Sequence, residues 1–321
     1  MNDAQRRPGD AVGKIVGVGR ALGGRVVTNH DLAKVLDTDD AWIVERTGIK
    51  ERRFVADGED CATLAVDAAK RALLHAGLEG QAVDLIVCAT STAPESMPSV
   101  ACLVGEAIGA SGVGAFDVAA ACAGYSYAAS VADSMLESGA ARRVLLIGAD
   151  AMTKIVDQKD RSTAVLFGDG AGAVVLERSS DHSGFVDHIL CADGRMAPLG
   201  RAGHPGTQEK LYQNGREVFK FAVRIFPEMV EKLLARNGAS MDEVQYIIPH
   251  QANLRIIQAA ARKIEIPEGR IVVNLERFGN TSAASIPISY PDIYDGLEPG
   301  RYVITVGFGF GLTWAANLYR V

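Results

Sequence analysis

Cys122 lies in Asp117-Val-Ala-Ala-Ala-Cys-Ala-Gly-Tyr-Ser, between a run that reads as a buried strand, residues 114–118, and an Ala-rich, Pro-free stretch reaching Glu137. Val131, Met135 and Leu136 fall on one face of that stretch at helical spacing, which places the thiol near a helix start. There the unpaired N–H groups and the macrodipole are expected to stabilise a thiolate and lower its pKa. An isolated free cysteine has a competing reading as a small buried hydrophobe, so partners decide. His250 ends the strand-like Tyr246-Ile-Ile-Pro-His and precedes a helical run, a placement at the carboxyl end of a strand where open α/β sheets bind ligands. The other five histidines, at 30, 75, 182, 188 and 204, read as core or surface residues. Asn280, in Arg277-Phe-Gly-Asn-Thr-Ser-Ala-Ala-Ser, reads either as an N-cap or as an amide donor, since Thr281 and Ser282 can cap in its place. Cysteine, histidine and asparagine together suit acyl transfer through a covalent thioester, with two donors holding a developing oxyanion. The same residue types fit a protease-like set, in which His250 would deprotonate the thiol.

These residues need elements to hold them. Strand-like and helix-like runs alternate: Lys14 to Val18 reads as a strand, Thr63 to Ala76 as a helix, and Leu85 to Thr90 as a strand apolar enough to be covered on both faces. The order of elements then repeats. Leu73-Leu-His-Ala-Gly followed by Val83-Asp-Leu-Ile-Val returns as Leu234-Ala-Arg-Asn-Gly followed by Val244-Gln-Tyr-Ile-Ile. Val144-Leu-Leu-Ile-Gly is echoed by Val303-Ile-Thr-Val-Gly, and Phe167-Gly-Asp-Gly-Ala-Gly by Phe308-Gly-Phe-Gly-Leu. Three echoes in the same order indicate a duplicated α/β unit. The expected organisation is a mobile tail over 1–10, a first half over 11–181 carrying the cysteine, and a second half over 182–321 carrying the histidine and asparagine. The join falls in the loop Ser179 to Gly184. In this scheme the segment matching the cysteine turn is Ile271 to Leu275 followed by Gly279 to Ser285, so Asn280 faces Cys122 across the interface between halves.

At 321 residues and 48% hydrophobic content the chain can bury a large core. Its net charge of −6, with both signs interspersed, gives no global field for nucleic acid or an anionic membrane. Five cysteines without C-x-x-C or zinc spacing suggest a reducing, cytoplasmic setting rather than a disulfide framework. No apolar run reaches the ~20 residues of a membrane span, and the first residues lack a signal-like apolar stretch. Gly17-Val-Gly-Arg-Ala-Leu lacks the third glycine of a dinucleotide fingerprint, Gly168-Asp-Gly-Ala-Gly has no P-loop lysine, and Gly124-Tyr-Ser-Tyr-Ala misses the nucleophile elbow by its last residue. Neither a cofactor nor a metal is expected.

The chain resembles the ketoacyl-ACP synthase III branch of the thiolase-like condensing enzymes. The resemblance rests on Thr38-Asp-Asp-Ala-Trp-Ile-Val-Glu-Arg-Thr-Gly-Ile, Phe116-Asp-Val-Ala-Ala-Ala-Cys-Ala-Gly-Tyr, Leu166-Phe-Gly-Asp-Gly-Ala-Gly, Pro249-His-Gln-Ala-Asn-Leu-Arg-Ile-Ile and Gly279-Asn-Thr-Ser-Ala-Ala-Ser. It implies an α/β, thiolase-like fold, a duplicated α-β-α-β-α layered architecture with two pseudo-symmetric halves, found as a homodimer. It implies that Cys122 takes the acyl group from an acyl-CoA, and that His250 and Asn280 bind the malonyl-ACP thioester carbonyl during decarboxylation. The resulting enolate attacks acyl-Cys122 to release 3-oxoacyl-ACP, coenzyme A and CO2, the first step of fatty-acid or polyketide synthesis. By the same likeness Trp42 and Arg161 sandwich the adenine of coenzyme A, with Thr38 and Arg46 nearby. Lys220, Arg255, Arg262 and Lys263 present positive charge to the acidic carrier protein, Met97 reaches into the partner subunit's acyl pocket, and Met152 and Phe167 line that pocket. Backbone N–H groups of Cys122 and Phe310 complete the acyl oxyanion hole. From the bare sequence Trp42 reads as core packing and the four basic residues as solvated helix faces.

The chain departs from the family pattern in three places. Phe310 stands between Gly309 and Gly311 where the family has a third glycine, and its Cβ would resist a positive φ. Ile288 to Gly296 is shorter than the family's helix and carries Pro291, which is disfavoured inside a helix. Arg195 to Tyr212 reads as a shortened, Gly- and Pro-rich flap. All three lie around substrate access. The nearest rival is an acyltransferase passing the acyl group from Cys122 to a hydroxyl, an amine or a second carrier. A hydrolase using Cys122 and His250, and a silent partner subunit, are more distant. An intact Asn280 favours condensation, because transfer to oxygen needs a base more than a second oxyanion donor.

Overall fold

The computed structural model describes residues 12–179, 181–267 and 269–321. The expected mobile tail over 1–10 lies outside the described residues.

A short helix, α1 (Asp40–Thr47), stands before α2 (Cys61–Ala76). Asp60 caps α2 through the Thr63 N–H, and Gly77 ends it at φ 67°. Both devices satisfy groups that a helix end leaves unpaired. The first sheet contains β1 (Val12–Leu22), β2 (Leu85–Ala89), β3 (Gly114–Val118), β4 (Arg143–Ala151) and β5 (Asp169–Ser179), in the order β1-β5-β4-β2-β3. β4 and β2 run parallel, as do β2 and β3, while the β1/β5 and β5/β4 pairs are antiparallel. The second sheet contains β6 (Gly184–Ala192), β7 (Val244–Pro249), β8 (Tyr302–Gly309) and β9 (Thr313–Arg320), in the order β6-β9-β8-β7. Its pairings follow the same senses, parallel for β7/β8 and antiparallel for β8/β9 and β9/β6. Where the first sheet has β3, the second has only a parallel bridge from Ile247 to Ile271. The first two pairs of echoed segments thus occupy matching strands, whereas Phe167–Gly172 opens β5 and Phe308–Leu312 ends β8 and turns toward β9; the fold is a duplicated α-β-α-β-α arrangement.

The outer layer of the first sheet is α2, whose Ala65, Ala68, Ala69 and Ala72 are all fully buried. Small side chains allow the helix backbone to lie directly on β1. A Cβ on Gly17 or Gly19 would stand 2.4 Å from the carbonyl oxygen of Ala72 or Ala68, so only glycine fits there. The corresponding outer helices of the second sheet are α4 (Gly215–Asn237) and α5 (Leu254–Lys263). The central layer is α3 (Gly124–Glu137) together with short turns over 282–296. Tyr125, Ala128, Ala129, Ala132 and Leu136 of α3 share one apolar cluster with Leu85, Val87 and Val174 of the first sheet and Ile248, Val303 and Tyr319 of the second. The apolar side chains of this cluster therefore join the halves, at about 1.5–3 kcal/mol for a fully buried large residue.

Four expectations about elements are corrected. β3 is a half-exposed edge strand, since among the described residues it ends the order of the first sheet. α3 begins at Gly124, and its early residues are buried nearly all round rather than on a Val131–Met135–Leu136 face. Pro291 interrupts nothing, because it falls in the first turn of the one-turn helix Tyr290–Ile293, where a missing N–H costs no bond. Asn280 is not the N-cap residue; the turn that follows, Ser282–Ala284, has Thr281 in that position with no side-chain cap of its own, and Asn280 Oδ1 instead accepts from the turn's first N–H, that of Ser282. The flap over 195–212 is a 3-10 turn, Gly194–Leu199, leading to a two-residue ribbon of Gly200–Arg201 with Tyr212–Gln213.

Candidate active site

Cys122 sits in a single 3-10 turn, Ala121–Ala123, squeezed between β3 and α3. Ala121 takes φ 48°, a left-handed conformation that a non-glycine residue adopts only under surrounding constraint. The constraint is visible. Thr313 Oγ1 donates to the Ala120 carbonyl at 2.9 Å, and the end of β8 lies so close that a Cβ on Gly309 would stand 2.6 Å from the Cys122 nitrogen. The thiol donates to Ser282 Oγ at 3.4 Å. Burial pushes it up to about 12, against the help of that hydroxyl. The expected lowering by a helix start does not prevail, because the cysteine precedes the helix by two residues and the other half covers it.

His250 directly follows β7 and is 2% exposed. Its N–H donates to the Val306 carbonyl at 2.8 Å, and its own carbonyl accepts from Ala252 at 3.0 Å. The ring meets Phe308 edge-on at 5.3 Å, and Nδ1 has no hydrogen-bond partner. Burial lowers its pKa to about 3, so the imidazole is neutral and is a weaker base than an ordinary histidine. Gln251 locks this strand end to the loop ahead of Asn280. Its Nε2 donates to the Pro249 and Val272 carbonyls at 2.9 and 3.0 Å, and its Oε1 accepts from Asn274 N at 3.1 Å.

Asn280 is stitched to the first half by a parallel bridge to Phe167, with Asn280 N donating to Leu166 O at 2.8 Å and Gly168 N to Asn280 O at 2.9 Å. Its Oδ1 accepts from Ser282 N at 2.8 Å. This fixes the amide so that Nδ2 is the end left to face a ligand.

All three side chains border one cavity of about 720 Å³. It is also lined by Trp42, Arg46, Phe167, Lys220, Arg255 and Phe310, so partly buried Cys122 and buried His250 and Asn280 share a space with exposed basic residues. Thr38, Met97, Met152, Arg161, Arg262 and Lys263 do not border it. Met97 is 78% exposed, beside a proline, while Met152 is buried in a cluster with Phe167 and Phe310. The guanidinium carbons of Arg46 and Arg161 stand 4.8 and 4.9 Å from the Trp42 ring centre, both within cation–π range. An adenine entering between Trp42 and Arg161 would have to part them. Phe310 lies outside the left-handed region, so its Cβ is not strained. Its ring lies on Gly200, where a Cβ would come within 2.1 Å of it. No group of three or more metal-ligating side chains occurs, and no helix is long and apolar enough to cross a membrane, among the described residues.

Two residues bearing on the site escaped the sequence reading. Ser282 contacts the thiol, and Asp150, wholly buried at the end of β4, anchors the turn that carries Ser282. Ser282 had a signal in its spacing, two residues after Asn280; Asp150 had none, because its neighbours come from distant segments.

The layered fold with a cysteine, a histidine and an asparagine on one cavity defines a thiolase-like condensing enzyme. Residues 116–194 match the 3-oxoacyl-[acyl-carrier-protein] synthase III family model, and residues 234–321 match its C-terminal model. The chain is 76% identical over 312 residues to the beta-ketoacyl-[acyl-carrier-protein] synthase III of Rubrobacter xylanophilus, covering 97% of this chain and 99% of that one. The crystal structure of 3-oxoacyl-[acyl-carrier-protein] synthase III from Aquifex aeolicus superposes with a TM-score of 0.92 at 45% identity, covering 96% of this chain and 100% of that one. The priming beta-ketosynthase of the R1128 polyketide pathway gives a TM-score of 0.92 at 31% identity, over 99% and 98% of the two chains. The chain belongs to the beta-ketoacyl-[acyl-carrier-protein] synthase III family and is an acyl-transferring enzyme.

Proposed function

We propose that the protein condenses an acyl-CoA starter with malonyl-ACP, giving 3-oxoacyl-ACP, coenzyme A and CO2, and so begins acyl-chain synthesis. The observation that carries this reading is the convergence of Cys122 from the first half with His250 and Asn280 from the second on one cavity. Cys122 attacks the acyl-CoA carbonyl and holds the acyl group as a thioester, with the Cys122 and Phe310 N–H groups binding the oxyanion. Malonyl-ACP then places its thioester oxygen between the His250 ring and the Asn280 amide. As CO2 leaves, negative charge collects on that oxygen, and two fixed donors in a water-poor site stabilise it. A neutral His250 suits this role, since it donates without first having to bind a proton. The enolate carbon attacks acyl-Cys122, and the cysteine leaves as a thiolate.

In this reading Trp42, Arg46 and Arg161, with Thr38, receive the coenzyme A head. Lys220, Arg255, Arg262 and Lys263 meet the acidic carrier protein. Phe167 and Met152, with Met97 from the second subunit of a homodimer, shape the acyl pocket. The chain works in the cytoplasm, without a cofactor, as two units over 11–181 and 182–321. Incubation with acyl-CoA and malonyl-ACP should yield 3-oxoacyl-ACP and CO2, and intact-protein mass spectrometry should show an acyl mass gain that Cys122→Ala abolishes. Acyl transfer to an alcohol or amine without CO2 would replace condensation with the rival reading.

A further inference from the structure

One charged side chain stands behind the wall of the cavity without bordering it. Arg52, in the ribbon that pairs Arg25–Thr28 with Glu51–Phe54, is 0% exposed. Its Nη1 donates to Asn29 Oδ1 at 2.7 Å and to the Val27 carbonyl at 3.3 Å, and its Nη2 donates to the Val165 carbonyl at 2.8 Å. All three acceptors are uncharged oxygens, and Nε has no hydrogen-bond partner among the described residues. Burial pulls the pKa down to about 10, which still leaves the guanidinium charged at neutral pH. A buried cation with only neutral acceptors is costly to keep, so its position has to matter.

That position is against the backbone that holds Asn280. Gly168 and Gly279 flank the parallel bridge between Phe167 and Asn280, and the stem of Arg52 runs along both. A Cβ on Gly168 would stand 3.3 Å from the Arg52 Cβ, and one on Gly279 3.1 Å from it. The guanidinium then takes the carbonyl of Val165, which ends the short helix Arg161–Ala164. The next carbonyl, that of Leu166, accepts from the Asn280 N–H at 2.8 Å, and Gly168 N donates to Asn280 O at 2.9 Å. On its other side the guanidinium is anchored by Asn29, also 0% exposed, whose Nδ2 donates to the Ile49 carbonyl at 2.8 Å and to Asp40 Oδ1 at 2.9 Å. Asp40 opens α1, so the anchor is a helix end and not a loose loop. A planar fork holds these acceptors on two nitrogens at once, whereas an ammonium presents only one.

We propose that Arg52 is a positioning residue for the condensation: its fork fixes the Val165–Gly168 wall, and through that wall the Asn280 amide, where the enolate oxygen forms. Arg52 touches no substrate. It acts because an oxyanion donor is effective only when it already stands at hydrogen-bond distance from the oxygen as charge develops. A displacement of about 1 Å in a positioning group can cost about 10²-fold in rate, although the displaced group is itself intact.

The inference rests on the proposed decarboxylation of malonyl-ACP between His250 and Asn280, and CO2 release by the wild type and by Asn280→Ala checks that reading first. Arg52→Lys keeps the stem and the charge but not the fork. It should lower kcat for CO2 release by about 10-fold or more with KM for malonyl-ACP little changed, while iodoacetamide alkylates Cys122 at the wild-type rate. The decisive measurement is the double variant. Once Asn280→Ala has removed the positioned donor, adding Arg52→Lys should cost about twofold at most. A full multiplicative loss in the double variant, an equal loss in Cys122 alkylation, or an unchanged kcat in Arg52→Lys would each overturn the proposal. Asn29→Ala removes the anchor and leaves the guanidinium, so it should give the same pattern at smaller size and serves if Arg52→Lys does not fold. Hydrogen–deuterium exchange read by mass spectrometry asks the question without substrate. Peptides covering 163–169 and 278–283 should exchange faster in either variant than in the wild type, and the peptide carrying Cys122 should not. Unchanged exchange in the first two peptides overturns the positioning role even if the wild type releases no CO2 from malonyl-ACP.

Discussion

The two halves place matching strands on the same scaffold yet end them differently. β2 of the first half leads into Thr90, and its counterpart β7 leads into His250; β4 of the first half carries Asp150 near its end, where β8 of the second carries Gly309. The first half therefore keeps a buried hydroxyl and carboxylate where the second keeps an imidazole and bare backbone. The turns that follow also diverge. After Cys122 the chain enters a 14-residue helix, whereas after Asn280 it passes through short turns and Pro291. Each turn still holds one left-handed non-glycine residue, Ala121 and Ser282. Duplication supplied two equivalent places for a reactive group, and in the proposed function divergence made one a nucleophile and the other an oxyanion site.

The sharpest way to break this division is to remove one side at a time. Cys122→Ala should lower acyl-enzyme formation by about 10³-fold or more while malonyl-ACP is still decarboxylated, measured as CO2 release. A loss of both would mean that the halves do not divide the chemistry. His250→Ala and Asn280→Ala should each lower decarboxylation by about 10²–10³-fold while Cys122 still acylates, with the double variant losing less than the product of the two. Strict multiplicativity would show that the two donors do not share one oxygen.

Smaller effects should come from the wall between the halves. Phe310→Ala removes a half-buried ring from the cavity and should cost about 2–3 kcal/mol in urea unfolding while raising activity toward longer acyl-CoAs. Gly200→Ala should disturb the same ring from behind, and an unchanged acyl preference in both variants would remove Phe310 from substrate choice. The smallest effect concerns pH. His250 titrates near 3 when folded but near its ordinary value when unfolded, so below about pH 6.5 the unfolded chain takes up a proton that the native chain refuses. This group's contribution is intact above that pH and is lost as pH falls toward 3, at about 1.4 kcal/mol per pH unit. Urea midpoints of wild type and His250→Gln between pH 6.5 and 4 should converge as the acid penalty, absent from glutamine, grows. Parallel curves would place the imidazole in a wetter site than the fold describes.

Cys122, His250 and Asn280 were legible because each stands at a junction that local pattern marks: a strand run, a break, then a new period. The thiol's acidity was not legible in the same way. A helix start is a property of adjacent residues, whereas desolvation depends on what the other half lays over the sulfur. Asp150 shows the same limit. Its partners Thr90, Ser91, Thr92 and Ala283 come from two distant segments, and no spacing in the chain announces them. β3 reads as buried from its composition, yet its edge position depends on the order in which strands pair.

The sequence by itself determined the alternation of strands and helices, their duplication, and which side chains stand at strand ends, because these follow from local periodicity and from sterics that act over a few residues. Tertiary structure alone decided the protonation of the site and the direction in which the thiol points. Those depend on water exclusion and on hydrogen bonds between segments 160 residues apart, as in the contact of Cys122 with Ser282.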